Sequence, residues 1–196
     1  MKKLLTILCL VLLSSCSQEP EVVTGPFIVR DGITYHQDTN ELVTGTVEEF
    51  HDTGQLKTRV NYIEGKRDGL HETFYLNGNG QLKFRTNHKE GKRHGLWESF
   101  YENGQLEFRI NHKEGKRDGL HEKFYENGQL EFRGNYKDGK WDGLIEWFHD
   151  NGQLKFKGNF KDGELDGLDE MFDEDGNLTE TETYRNGELV EENRNP

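Results

Sequence analysis

The sequence predicts an all-β protein, a long antiparallel meander of about six 24-residue β-hairpin repeats. Three observations carry this. A pattern of Gly-Leu, Glu, Phe and Asn-Gly-Gln-Leu returns with opening glycines at Gly45, Gly69, Gly95, Gly119, Gly143 and Gly167, spaced 24, 26, 24, 24 and 24 residues apart. A fixed period of this size marks an array of supersecondary units. Second, Asn-Gly and Asp-Gly dipeptides separate alternating segments, the strongest short-range hairpin signal. Third, the 196-residue chain has 23 glycines and no alanine, and between Gly54 and Gly187 no glycine-free stretch exceeds 10 residues. Glycine costs a helix interior roughly 1 kcal/mol, so a helical domain is excluded. Leu, Ile, Val and Phe are only 47 of the 196 residues. Burial must therefore come from neighbouring copies rather than from a deep core.

Residues 1–15 read as a secretory signal. Met1-Lys2-Lys3 is basic, and the 10-residue apolar run 4–13 is shorter than the roughly 20 residues that span a bilayer. Leu13-Ser14-Ser15-Cys16 resembles the lipobox of bacterial lipoproteins. The resemblance implies cleavage before Cys16, diacylglycerol on its sulfur and a further acyl chain on its amine, hence stable anchoring. The alternative is an ordinary signal peptide that happens to contain Cys16. Cys9 leaves with the signal and Cys16 is capped by lipid, so disulfide, thiolate-metal and cysteine-nucleophile chemistry drop out together. The expected address is the cell envelope, the outer membrane if the cell is Gram-negative, where Ser17 follows Cys16.

Residues 16–26, with Pro20, Pro26 and no alternation, read as a lipidated tether. Residues 27–44, around Asp31-Gly32, read as a capping hairpin that shields the first edge of the array. Residues 45–190 hold the six repeats, and 191–196 read as an acidic, frayed tail.

The fourth copy shows the local logic. Residues 120–125 alternate, Glu126-Asn127-Gly128 turns, residues 130–136 alternate again, and Lys137-Asp138-Gly139-Lys140 turns the chain back. Two registers compete. A two-residue turn at Asn127-Gly128 sets Glu122 opposite Arg133, with Glu48–Arg59, Glu98–Arg109 and Glu146–Lys157 alike. A three-residue loop with a left-handed Gly128 instead gathers Leu120, Phe124, Leu130, Phe132 and Tyr136 on one face, opposite His121, Lys123, Tyr125, Arg133 and Asn135. A one-residue slip swaps every face, so the second register, which segregates apolar from polar, is favoured. Stacking makes ladders of Phe50, Phe74, Phe100, Phe124, Phe148 and Phe172, with Leu56, Leu82, Leu106, Leu130, Leu154 and Leu178 beside them. The expected pitch is about 9.6 Å per copy.

Phe132-Arg133-Gly134-Asn135-Tyr136-Lys137-Asp138-Gly139 and Phe156-Lys157-Gly158-Asn159-Phe160-Lys161-Asp162-Gly163 resemble the core of the variant form of MORN (membrane occupation and recognition nexus) repeats. Val60, Thr86 and Ile110 replace the central glycine in earlier copies, which points to the bacterial variant class. The resemblance implies an elongated, twisted single-layer sheet. Bacterial proteins of this class are commonly assigned as antitoxin or immunity partners of polymorphic toxins.

Residues 162–196 hold 13 acids and 2 bases, whereas 17–161 are nearly balanced, so most of the formal charge of −12 belongs to the C-terminal end. Such acidity either solvates a last edge or docks a basic partner. The basic row Lys66-Arg67, Lys92-Arg93, Lys116-Arg117 and Lys140 is interleaved with acids, which argues against nucleic acid. Neither metal nor cofactor is expected. The histidines occupy copied positions, Met171 stands at the first ligand place of the calcium-loop-like Asp173-Glu174-Asp175-Gly176-Asn177, and the glutamate ladder repeats with the fold. No catalytic set stands out. The best binding clue is Tyr75, Trp97, Tyr101, Tyr125 and Trp147, on the face opposite the Phe ladder with Lys123 and Arg133 between them, as a contact stripe or as structural packing. The expected function is a non-enzymatic, membrane-anchored scaffold that binds a protein or glycan at the envelope. The alternative is an immunity protein against a polymorphic toxin.

Overall fold

The computed structural model describes residues 21–76 and 78–194; the signal segment, Cys16 and the first part of the tether lie outside them. The strands are β1 Val22–Val23, β2 Phe27–Arg30, β3 Ile33–His36, β4 Gly45–Phe50, β5 Leu56–Ile63 and β6 Lys66–Phe74. There follow β7 Leu82–Lys89, β8 Lys92–Phe100, β9 Leu106–Lys113, β10 Lys116–Phe124, β11 Leu130–Lys137 and β12 Lys140–Trp141. The last six are β13 Gly143–Phe148, β14 Leu154–Lys161, β15 Glu164–Leu165, β16 Gly167–Phe172, β17 Leu178–Arg185 and β18 Glu188–Arg194. No helix occurs among the described residues. From β4 to β18 each main strand pairs antiparallel with the next, in one open sheet. The expected meander is what forms.

Two kinds of turn build it. At the near turns two consecutive residues have positive φ, as in Glu90 (50°) and Gly91 (81°) or Asp138 (50°) and Gly139 (90°). This is the two-residue turn whose twist matches that of the flanking strands. At the far turns the Tyr125 amide donates to the Gln129 carbonyl and the Gly128 amide to the Tyr125 carbonyl, both at 2.8 Å. With Gly128 at φ 85°, Glu126-Asn127-Gly128 is the three-residue loop the sequence favours.

The face assignment drawn from that loop is nevertheless wrong. Phe124 pairs with Leu130 but Lys123 pairs with Phe132, so Glu131 is an extra residue, a β-bulge. The bulge undoes the slip introduced by the loop and sets Glu122 opposite Arg133, the pairing of the competing register. Phe132 and Tyr136 therefore lie with His121 on one side, while Leu120, Phe124 and Leu130 lie on the other with Glu122 and Arg133. The Phe–Leu ladders stand as expected, with pairs from Phe50–Leu56 through Phe172–Leu178.

A second irregularity creates the core. In β10, Arg117 pairs with His112 and the next paired residue, His121, faces Ile110. The strand bends at Gly119 (φ 98°), and the arm before it folds toward the His121 side. Each copy repeats this bend, which makes one face of the sheet inner and the other outer. Val47, Val60, Ile110, Phe132, Tyr136 and Ile145 are buried on the inner side together with Thr86, His88 and His112.

Both ends depart from expectation. Val22 and Val23 of the presumed tether form β1, parallel to Thr46 and Val47, because the edge of β4 offers unpaired backbone groups. The Thr46 amide donates to the Glu21 carbonyl at 2.8 Å. The β2–β3 hairpin docks beside it, with Thr34 donating to Gly65 and Gly65 to Val43. The presumed frayed tail is a strand as far as Arg194, paired from Arg185–Glu188 to Glu180–Arg194. Its side chains fill no core, so hydrophobic alternation gives no sign of it.

Candidate functional site

The inner face carries rings packed across neighbouring strands. Trp97 meets Phe108 edge-on at 4.9 Å and lies beneath the Arg93 guanidinium at 4.2 Å. One copy later Arg117 covers the Tyr136 ring and donates to its hydroxyl at 2.8 Å. In the following copy Trp141 takes the place of the arginine, stacked on Tyr136 at 3.7 Å and on His121 at 5.8 Å.

The arm residue and the residue beneath it vary together. Where the arm offers Arg67, Arg93 or Arg117, the centre of the strand is Val60, Thr86 or Ile110. Where it offers Trp141 or Leu165, the centre is Gly134 or Gly158. A Cβ on Gly134 would come within 3.0 Å of Phe132 Cζ and of Trp141 Cζ3. The departures from the central glycine thus follow from the residue lying above it.

This face is also where titratable groups are displaced. Burial, reinforced by nearby arginines, pushes the His71, His88 and His121 imidazoles down to about 4 and lowers His112. These rings are neutral at pH 7. Asp169 stands in the His121 column, and burial pushes its carboxyl up to about 6.

The five aromatic candidates fall into different settings. Tyr75, Tyr101 and Tyr125 are half-buried in one row on the side opposite the Phe ladder. Their hydroxyls donate to the carbonyls of Phe100, Phe124 and Phe148 in the next copy at 2.8, 2.7 and 2.7 Å. Asn103, Asn127 and Asn151 reach the next far turn in the same way. These tyrosines clasp one copy to the next. Trp97 is half-buried under Arg93, and Trp147 is the most open of the five, 41% exposed with one face on Phe132. Lys123 lies on the same side, paired with Glu131 at 2.8 Å. Arg133 does not; it is outside, paired with Glu146 at 2.6 Å.

The outer face has three parallel rows. One alternates Leu70, Leu96, Leu120, Leu144 and Leu168 with Asn87, Asn111, Asn135 and Asn159. One is the Phe–Leu ladder. Between them runs an alternating charge row, Glu48, Arg59, Glu72, Arg85, Glu98, Arg109, Glu122, Arg133, Glu146, Lys157, Glu170, each residue directly opposite the next. Ten strand steps make it roughly 48 Å long. The Arg109 Nε–Glu122 and Arg85 Nε–Glu98 contacts are 2.5 Å, and the carboxylates are more buried than their cations. The sequence displays these pairs two at a time; their continuity across the sheet depends on the bulge.

Among the described residues, no group of three or more His, Cys, Asp or Glu side chains converges to hold a metal ion. The profile of the MORN repeat variant family matches residues 43–64, 93–114, 117–138, 141–162 and 165–192. The chain belongs to this family. The MORN repeat variant copy between the first two matches carries the doubled Asn-Gly, yet β6 and β7 keep the same pairing, Glu72 opposite Arg85. No curated protein matches the chain. Among solved structures, one similar to it is a mutant S. aureus TarM in complex with Fondaparinux, alpha-GlcNAc-glycerol and UDP. The identity there is 10% and the TM-score 0.33, over 62% of this chain and 21% of that one. The chain thus spans about a fifth of that protein's length.

Proposed function

We propose that this repeat scaffold is a non-enzymatic protein anchored in the bacterial envelope by lipid on Cys16, and that its outer face binds a protein or glycan partner. The observation that supports the binding role is the uncovered outer face. Among the described residues nothing packs behind the single-layer sheet, and Leu144 and Leu168 stay 44% and 48% exposed beside a charge row that is neutralised laterally. Exposed leucines and a Phe–Leu ladder flanking a row of paired charges offer both the apolar and the polar contacts of a recognition surface. The tethered ribbon would hold that surface clear of the bilayer.

Two experiments test this reading. Cys16→Ala should release the protein from the membrane fraction, and unchanged fractionation would refute the anchor. Capture of partners from envelope extracts by the mature chain should be lost on Leu144→Glu with Leu168→Glu; retention of the same partners would move the binding site elsewhere. A second reading, neutralisation of a polymorphic toxin, draws support from the 13 acids against 2 bases in residues 162–196. Recovery of a nuclease-like partner in that capture would favour it.

A further inference from the structure

The sixth copy breaks the chemistry of the inner face. In copies two to four the column across the sheet reads His71–Thr86, Trp97–Ile110 and His121–Gly134. In the sixth, Asp169 lies directly opposite Glu182, and Glu182 directly opposite Glu192 on β18. Three carboxylates thus cross three adjacent strands, and like charges in direct opposition destabilise a sheet. Asp169 is 1% exposed, and its carboxyl has the Asn159 backbone amide beside it but no hydrogen bond of good geometry. The Tyr184 hydroxyl donates to Glu182 at 3.0 Å, and Arg194 pairs with Glu180 and Glu192 at 2.8 and 2.7 Å. Glu182 itself has no cation at ion-pair distance among the described residues. Apart from Glu170, Glu180 and Glu192, no acid from Asp162 onward has an ion-pair partner among the described residues.

The two edges of the sheet differ as well. The first is covered by β1 and the β2–β3 hairpin. The outer edge of β18 carries no strand among the described residues, and all seven of its residues are exposed. Exposed charge is enough to keep such an edge from pairing with others. Setting Glu182 directly opposite both Asp169 and Glu192, beside the edge strand, adds nothing to that protection and costs stability. The Glu182–Glu192 pair fits a site completed from outside.

We propose that β18 receives an extended segment of a basic partner protein as the next strand, with a Lys or Arg side chain over Glu182 and Glu192 on the inner side. Backbone pairing would supply affinity, and the carboxylate row would select the cation. The proposal is independent of what the outer face binds.

The test uses the full mature chain and a labelled, end-capped octapeptide of alternating Val and Lys, followed by fluorescence anisotropy at low salt. Glu182→Gln should weaken binding roughly tenfold, equivalent to about 1.4 kcal/mol. The same substitution should raise the melting temperature of the free protein, because it removes a like-charge opposition; that gain separates lost binding from lost folding. Glu174→Gln, an equal loss of charge at the neighbouring turn, should leave binding within about twofold, since an exposed, distant charge is largely screened. A peptide N-methylated at alternate residues should not bind. Equal weakening by both substitutions, undiminished binding of the methylated peptide, a lower melting temperature for Glu182→Gln, or self-association of the chain through β18 would each overturn the proposal.

Discussion

Exchanging Gly134 and Trp141 for the pair found one copy earlier, Ile110 and Arg117, tests whether arm and centre are matched by volume. Gly134→Ile alone places a Cβ within 3.0 Å of Phe132 Cζ and Trp141 Cζ3 and 3.1 Å of Ile145 Cγ1. The remaining three carbons enter the same packed space, and overpacking of this kind costs about 1–3 kcal/mol. Trp141→Arg alone removes a ring stacked at 3.7 Å on Tyr136 and leaves Gly134 uncovered. Deleting a core aromatic ring costs roughly 3–5 kcal/mol; Trp141 is half-buried, so its loss costs less, and the arginine stem covers part of the gap. The double variant recreates an arrangement the chain already uses. Its destabilisation should be smaller than the sum of the singles by at least about 1 kcal/mol. Urea unfolding followed by far-ultraviolet circular dichroism gives all four free energies of the cycle. If the double variant equals the sum of the singles to within about 0.5 kcal/mol, the volume-matching argument fails.

Acidification should destabilise the array between pH 6.5 and 4. His71, His88 and His121 have folded-state values near 4, below the unfolded value of 6.5, so the unfolded chain takes up protons first and stability falls with pH through that window. Partial solvation limits each ring to roughly 1–2 kcal/mol. Asp169, raised to about 6, acts in the opposite sense, gaining stability as pH falls from about 6 toward 4, but it is one group against three. Urea midpoints at pH 7.5 and 4.5 should differ, and His121→Ile should reduce the difference; a pH-independent midpoint would contradict the burial of these rings. Tyr101→Phe removes the 2.7 Å bond to the Phe124 carbonyl and should cost about 0.5–1.5 kcal/mol, with faster amide exchange at the two far turns it joins. His94→Asp should stabilise by about 0.5–1 kcal/mol, since Asp68 and Asp118 at the equivalent place accept the Glu90 and Asp138 amides at 2.9 and 3.3 Å. An unchanged melting temperature would show that this bond carries no weight. Arg109→Met leaves Glu122, 8% exposed, short of one partner and should cost about 1–3 kcal/mol in urea unfolding, more than the same change at exposed Lys57.

The period, the turns and the Phe–Leu ladders were legible because each depends on a few neighbouring residues: a left-handed Gly128, an Asp138-Gly139 pair, a Phe and a Leu flanking one loop. The faces were not. Turn length and alternation together lead to Phe124 and Phe132 on one side, and nothing in Leu130-Glu131-Phe132 announces that Glu131 will bulge. The opposition of Glu122 to Arg133 was the available clue, since it recurs at Glu48–Arg59 and Glu98–Arg109; aligned acids and bases, which close their ion pairs mostly onto the next copy as in Arg109–Glu122 and Arg133–Glu146, outweigh tidy segregation in a sheet one layer thick. The roles of Tyr75, Tyr101 and Tyr125 were hidden for a different reason. Their acceptors are backbone carbonyls a full copy away, and a carbonyl leaves no mark on sequence. Trp141 and Gly134 could have been read together as a large residue above an empty place, but only once the bend at Gly143 brings the arm over the sheet.

The bonds that clasp one copy to the next join equivalent places in successive copies: Tyr101 to Phe124, Asn127 to Asp150, and the Gly139 amide to the Arg117 carbonyl. Excision or duplication of one 24-residue unit therefore rejoins donors to acceptors of the same kind. The molecule is a ruler whose graduations are interchangeable. Unequal recombination within such a gene would change its span in steps of about 9.6 Å and would leave both terminal strands, and whatever they contact, untouched.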